Sequence, residues 1–189
     1  MSETIEEITS VMGAERIGNA PARIDWILTD SRSLCFPEET LFFAMKTKRN
    51  DGHKYIHELY ERGVRNFVVS DLPENGEVYA DTNFLKVANP LRALQRLATK
   101  HREQFQIPVV GITGSNGKTI VKEWLYQLLG PERIITRSPR SYNSQIGVPL
   151  SVWLLNEHTE LGIFEAGISE MGEMEALRPI IQPTIGVLT

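Results

Sequence analysis

A chain of 189 residues with 41% apolar and 23% charged side chains can bury one large core or two small ones, and is ordinary for a soluble globular protein. Its formal charge of −4, with no basic stripe, argues against nucleic acid as a partner, so an anionic ligand would have to be held by local features. The single cysteine, Cys35, excludes an internal disulfide, the acidic start lacks the apolar stretch of a signal peptide, and no run is long enough to span a membrane; a cytoplasmic protein without membrane insertion is expected.

In chain order, Ile5, Ile8, Val11 and Met12 recur at the spacing of a short opening helix. Residues 24–29 read as a strand running into the polar turn 30–33, and 41–45 as a second strand. A basic connection, 46–50, leads to Asp51, Gly52 and His53 and a helix through Arg62 that buries Ile56, Leu59 and Tyr60, with Gly63 as its C-cap. Strands follow over 64–69 and 84–88, separated by a loop over 71–83 rich in proline, glycine and acids. Asn89 and Pro90 then open a helix with Leu91, Leu94, Leu97 and Ala98 on its apolar face. The pattern restarts near Gln104 to Pro108, and two domains are read there, 1–105 and 106–189. The second gives strand 109–113, helix 118–129, strand 133–136, helix 147–155, strand 161–165, helix 173–181 and strand 184–188. Strands alternating with helices imply an α/β fold with a parallel, doubly wound sheet. The chain stops at Thr189 on an apolar strand of the kind that lies inside such a sheet, so a longer parent protein is expected.

The most informative stretch is GITGSNGKT at 111–119, set between a strand and a helix whose apolar face is read as Ile120, Val121, Trp124, Leu125, Leu128 and Leu129. Glycines let main-chain N–H groups approach phosphate oxygens, and a helix N-terminus adds partial positive charge. Gly114, Ser115, Asn116, Gly117, Lys118 and Thr119 are therefore the candidate nucleotide-binding residues, with Lys118 reaching the phosphates and the Thr119 hydroxyl placed on Mg²⁺. The usual pattern has a glycine at position 112, and here Gly111 stands one residue early. Glu165 ends a strand whose carboxyl end should lie at the same sheet edge as the loop; a carboxylate there can complete the oxygen shell of Mg²⁺, or be a solvated loop acid or a helix N-cap. Glu170, Glu173 and Glu175 suit the N-terminus of the helix that follows.

Other polar groups carry weaker signals. Residues 141–149 form a polar loop running into a helix with Pro149 in its first turn, able either to grip a polar substrate or to cap that helix. Asp30, Ser31 and Arg32, like Asp51, Gly52 and His53, form turn-like clusters, and Arg32 offers a planar fork for phosphate oxygens. His53 and His57 lie four apart without a third ligand, so no zinc site is expected; His101 and His158 are placed at the surface.

Taken together these residues resemble the Mur ligases, the ATP-dependent amide-bond formers of peptidoglycan precursor synthesis. The loop 111–119 is similar to that family's form of the phosphate loop, and Ser31 and Arg32, the strand at 41–44, and Asp51, Gly52 and His53 resemble its N-terminal module that receives the UDP end of the substrate. The resemblance implies a small α/β UDP-binding module followed by the first part of a parallel-sheet ATPase domain. It implies ATP and Mg²⁺, with Lys118 and Glu165 catalytic, Thr119 and Glu165 on the metal, and Ser31, Arg32, Asp51, Gly52, His53, Asn143 and Ser144 on substrate. Within the family, the wording of 143–150 and of 165–173 is most like the branch that joins D-alanyl-D-alanine to UDP-N-acetylmuramoyl-tripeptide, including forms fused to alanine racemase. The piece from 1 to 189 is expected to lack turnover by itself, because the family's central domain continues past it. Two other readings stay open: a Mur-type ligase adding the third stem residue, and a nucleotide-binding protein without ligation. A folylpolyglutamate synthase is disfavoured, since those enzymes lack the module that residues 1–105 resemble.

Overall fold

The computed structural model describes residues 3–47, 50–73, 79–168 and 171–189. The chain divides into two compact units, Met1–Leu94 and Gln95–Thr189.

The first unit opens with a two-residue strand β1 (Glu3–Thr4) and helix α1 (Ile5–Met12). Thr4 and Glu7 satisfy each other's main chain as a capping box: Glu7 N donates to Thr4 Oγ1 at 3.3 Å and Thr4 N to Glu7 Oε2 at 3.0 Å. Strands β2 (Glu15–Ile17), β3 (Arg23–Ile24), β4 (Trp26–Leu28) and β5 (Thr40–Phe43) follow, then helix α2 (Ile56–Glu61) and strands β6 (Asn66–Val69) and β7 (Asn83–Lys86). β1 and β3 form a small antiparallel pair; the main sheet has the order β2-β7-β6-β5-β4, parallel throughout except for the antiparallel β2. Period-two alternation sends Phe42, Phe67 and Phe84 into one core with Ile56 and Leu59 of α2. Leu41, Phe43, Val68 and Leu85 point the other way and are buried too, which is why these strands read as unbroken apolar runs. The polar loop expected over 71–83 falls partly on 74–78, and the basic connection over 46–50 partly on 48–49, both outside the described residues.

Helix α3 (Pro90–Arg102) starts as read, with Asn89 Oδ1 accepting from Arg92 N at 3.0 Å. The unit boundary falls inside it, earlier than the 105/106 division read from the sequence. The reason is packing: Ala98 and Phe105 join the second unit's core, and His101 meets the Leu155 carbonyl at 3.0 Å. His101 is therefore buried at 2% exposure, against Phe105 and Trp153, and its expected surface position is corrected.

In the second unit, strands β8 (Val109–Thr113), β9 (Ile135–Arg137), β10 (Leu161–Glu165) and β11 (Ile185–Leu188) alternate with helices α4 (Lys118–Leu129), α5 (Gly147–Val152) and α6 (Glu173–Ile181). The sheet is wholly parallel in the order β11-β8-β10-β9, with Glu165 opposite Ile112. Val109 and Phe164 face one core, shared with α5, α6 and the end of α3. Val110, Ile112 and Ile163 face the other, where Val121, Leu125 and Leu129 of α4 pack. The six-residue apolar face read for α4 is thus split. Ile120, Trp124 and Leu128 form a second stripe that is exposed, Trp124 at 63%.

Arg102 closes this unit. Its buried guanidinium donates to the carbonyls of Phe105 at 2.6 Å, Ile181 at 3.0 Å and Gln182 at 3.2 Å, the last two at the C-terminus of α6 where the helix dipole favours a cation. Burial holds its pKa below the usual arginine value. Arg102→Ala strands these carbonyls and is expected to destabilise the protein by about 1–3 kcal/mol, read as a lower urea midpoint at unchanged slope; a midpoint equal to wild type would contradict this account.

Candidate functional site

The loop between β8 and α4 turns on two glycines with left-handed backbone, Gly114 (φ 133°) and Gly117 (φ 81°). Gly114 is also pressed against the end of β11: a Cβ there would sit 2.0 Å from the Thr189 carbonyl oxygen. Thr189 N donates to the Thr113 carbonyl at 2.9 Å, and the Thr189 hydroxyl donates to the Asn116 carbonyl. Lys118 arches back over the turn to donate to the Gly114 carbonyl at 2.7 Å. Gly117 stands at the N-cap of α4 and no side chain caps that helix, so its first-turn N–H groups keep their capacity for an acceptor. An anion is the complement of such an end.

Across the sheet edge, Glu165 has no exposed surface. The Thr119 hydroxyl donates to its Oε2 at 3.0 Å, and the Lys122 ammonium faces its Oε1 at 2.9 Å as an ion pair outside hydrogen-bond alignment. Lys122 is buried as completely, and it also donates to the carbonyl of Ser138 at 2.8 Å and to that of Arg140. Ser138 in turn accepts from Glu165 N through its hydroxyl at 3.1 Å. Glu123 lies 3.3 Å from Lys122 and pairs with Arg137, whose guanidinium stacks 4.0 Å above the Tyr126 ring. The sequence reading missed Lys122. The available signal is its place on the packed side of α4, one residue after Val121 and three before Leu125.

Thus Lys118, Thr119, Glu165 and the glycine turn are brought together at the carboxyl ends of β8 and β10, the edge where parallel sheets hold ligands. A half-buried hydroxyl beside a buried carboxylate is a hard oxygen donor set of the kind Mg²⁺ takes, so the residues present fit that ion. The loop after β9 lies beside this edge: the Asn143 carbonyl accepts from Gly167 N at 2.8 Å. Ser144 Oγ accepts from Gly147 N at 3.1 Å, so its hydroxyl is used in capping α5. Gln145 tethers the same loop, accepting from Gln95 Nε2 at 2.9 Å and donating to the Glu173 carbonyl at 3.2 Å. Glu173 and Glu175 occupy the first turn of α6 as expected; Glu170 lies outside the described residues.

In the first unit the two polar clusters follow β4 and β5, neighbouring parallel strands, and so leave the sheet at one edge. Asp30 caps the turn by accepting from Arg32 N at 3.1 Å and grips the Arg32 guanidinium, whose side chain is 87% exposed. Ser31 is buried and its carbonyl accepts from Arg62 at 2.8 Å. Gly52 has a steric task, since a Cβ would meet Met45 N at 2.8 Å. His53 spends both ring nitrogens internally: Nδ1 lies 2.6 Å from Asp51 Oδ1, and Nε2 accepts from Ser70 N at 3.1 Å, which assigns the proton to Nδ1. A cavity of about 360 Å³ lies here, lined by Lys46, Asp51, His53, Lys54, His57 and Asp71 among others. No group of three or more potential metal-ligating side chains occurs among the described residues, and no helix among them is long and apolar enough to cross a membrane.

The sequence matches two family models, described as the Mur ligase family catalytic domain over residues 23–102 and the Mur ligase middle domain over residues 112–189. It is 34% identical over 170 residues to the UDP-N-acetylmuramoyl-tripeptide–D-alanyl-D-alanine ligase of Bacillus subtilis, covering 88% of this chain and 35% of the relative. It is 34% identical over 192 residues to the ligase of the same name from Treponema pallidum, covering 97% and 41%. Among solved structures it is similar to MurF from Acinetobacter baumannii (TM-score 0.87, 26% identity, all of this chain and 41% of the other). It is also similar to MurF ligase from Thermotoga maritima in complex with ADP (TM-score 0.73, 30% identity, 86% and 36%). The chain spans about two fifths of the length of these relatives.

The Asp30 and Asp51 carboxyls are held below the usual range, Asp30 by hydrogen bonds from the Arg32 side chain and main chain, Asp51 by those from the His53 main chain and side chain. A depressed carboxyl stabilises the fold fully above its unfolded pKa, and that contribution is lost as pH falls through the folded value. Asp51→Asn keeps an oxygen for the cap and removes the charge. It should lower the melting temperature at neutral pH, with the gap to wild type closing below about pH 4. A gap that stays constant down the acid limb in thermal melts would refute this.

Proposed function

The chain belongs to the Mur ligase family, and from that membership we propose that the full-length protein is the ATP-dependent ligase that joins D-alanyl-D-alanine to UDP-N-acetylmuramoyl-tripeptide in the cytoplasm. The observation that carries the reading is the convergence of Thr119 and Glu165, 3.0 Å apart, beside an uncapped helix N-terminus and Lys118. A bare carboxylate resists attack by an amine, so the peptide's terminal carboxylate takes the γ-phosphoryl group of ATP and ADP leaves. The dipeptide amine then attacks the acyl carbon, inorganic phosphate departs and the amine gives up its proton.

The residues have distinct parts in this. The N–H groups of the turn and of the first turn of α4 bind phosphate oxygens, and Lys118 exchanges the Gly114 carbonyl for them, placing its charge where negative charge accumulates. Thr119 and Glu165 would hold Mg²⁺, which when bound neutralises charge on the phosphates. Asn143 and Ser144 belong to the loop that shapes the neighbouring substrate space, Ser144 through the capping of α5. In the first unit, Arg32 would exchange part of its pairing with Asp30 for the UDP diphosphate, while Ser31, Asp51, Gly52 and His53 would shape the backbone around that subsite.

Lys118→Ala in the full-length protein should lower phosphate release by about a hundredfold or more, with the melting profile of the first unit unchanged. The assay measures phosphate that appears only when the UDP-linked tripeptide and D-alanyl-D-alanine are both supplied. Undiminished turnover by the variant would remove the assignment, and release supported by a single amino acid in place of the dipeptide would point to a different ligase of the family.

A further inference from the structure

Lys122 has no surface exposed, yet its ammonium sits among the Glu165 carboxylate at 2.9 Å, the Ser138 carbonyl at 2.8 Å and the Arg140 carbonyl, with Glu123 at 3.3 Å. Taking an ammonium and a carboxylate out of water is costly, and apolar side chains of similar volume hold such a space as well or better. Filling the space between α4 and β10 is therefore a poor reason for a lysine. What an ammonium adds is a positive charge fixed in place by two main-chain carbonyls. It engages one carboxylate oxygen, Oε1, and leaves the other, Oε2, beside the Thr119 hydroxyl. It also binds the main chain at Ser138, whose hydroxyl accepts from Glu165 N, so the carboxylate is fixed from its side chain and from its backbone by one cluster.

We propose that Lys122 is a positioning residue for the phosphate and cation centre: it sets the Glu165 carboxylate so that Oε2 faces Thr119, and it ties the main chain of 138–140 to that setting. This rests on the functional reading above, and it assigns Lys122 no contact with nucleotide or substrate. Lys118 and Lys122 lie four apart on α4 but have different partners, the first on the loop and the second on the carboxylate.

The test is ADP binding by the full-length protein, followed by calorimetry during Mg²⁺ titration and again in EDTA, for wild type, Lys122→Met, Lys122→Arg, Glu165→Gln and Lys122→Met combined with Glu165→Gln. Lys122→Met should raise the Mg²⁺ concentration for half-maximal binding by about 10- to 100-fold and leave binding in EDTA unchanged. Lys122→Arg should shift it in the same direction, because a planar guanidinium cannot place one nitrogen on all three acceptors. In the Glu165→Gln background, the added Lys122→Met should cause no further change, since the group it acts through is already neutral. This comparison also serves if the single methionine variant fails to fold, because the combined variant leaves no lone buried charge. An unchanged Mg²⁺ requirement in Lys122→Met or Lys122→Arg, an equal loss in EDTA, or an equal loss on top of Glu165→Gln would overturn the proposal. A wild type without Mg²⁺-dependent ADP binding would instead sink the functional reading.

Discussion

Glu165 lies at the end of a central parallel strand with no exposed surface, and a carboxylate in that position is costly unless charged and polar groups surround it. The second unit is arranged around that requirement. α4 supplies a hydroxyl and an ammonium from adjacent turns, the segment after β9 supplies a hydroxyl to the main chain, and the strand itself places the side chain at the carboxyl edge of the sheet. Removing the ammonium leaves the carboxylate's charge stranded in a low-dielectric space. The same arrangement keeps an oxygen-rich corner next to the glycine turn, so the burial requirement and the chemistry are met by one set of atoms.

The first unit meets a different demand. Its polar clusters are turns that satisfy their own backbone: Asp30 caps 31–33, Asp51 caps 52–55, and His53 joins that second turn to the start of the segment after β6. Parallel strands leave these turns on one edge, where the second of them, with Asp51 and His53, lines an open cavity. Here most named polar residues shape the main chain, and the exposed Arg32 guanidinium pairs with Asp30.

What was legible in the sequence follows from how local each feature is. The glycine turn, Lys118 and Thr119 were readable because their spacing marks a phosphate-holding turn, and Glu165 because parallel strands put their carboxyl ends on one edge. Lys122 was not, since its partners come from β10 and from the segment after β9, and a lysine on an otherwise mixed helix face reads as solvated. The split of α4 into a packed stripe at 121, 125 and 129 and an exposed one at 120, 124 and 128 was hidden for a related reason: both repeat every four residues, and only the sheet decides between them. β1 and β2, two and three residues long, are too short for any period to show. His101 looked solitary because its partners, Phe105 apart, are at Trp153 and Leu155, far along the chain.

The close approach of Gly114 to Thr189 has a temporal side. The phosphate loop looks like a local motif, but its first residue is shaped by a strand that arrives 76 positions after Thr113, through contacts to Thr113 and Asn116. Loop-closure entropy has to be met before such a distant pairing contributes anything. During synthesis these contacts form only once residues 185–189 have been made and docked beside β8, so the turn gains this support after its own sequence is complete.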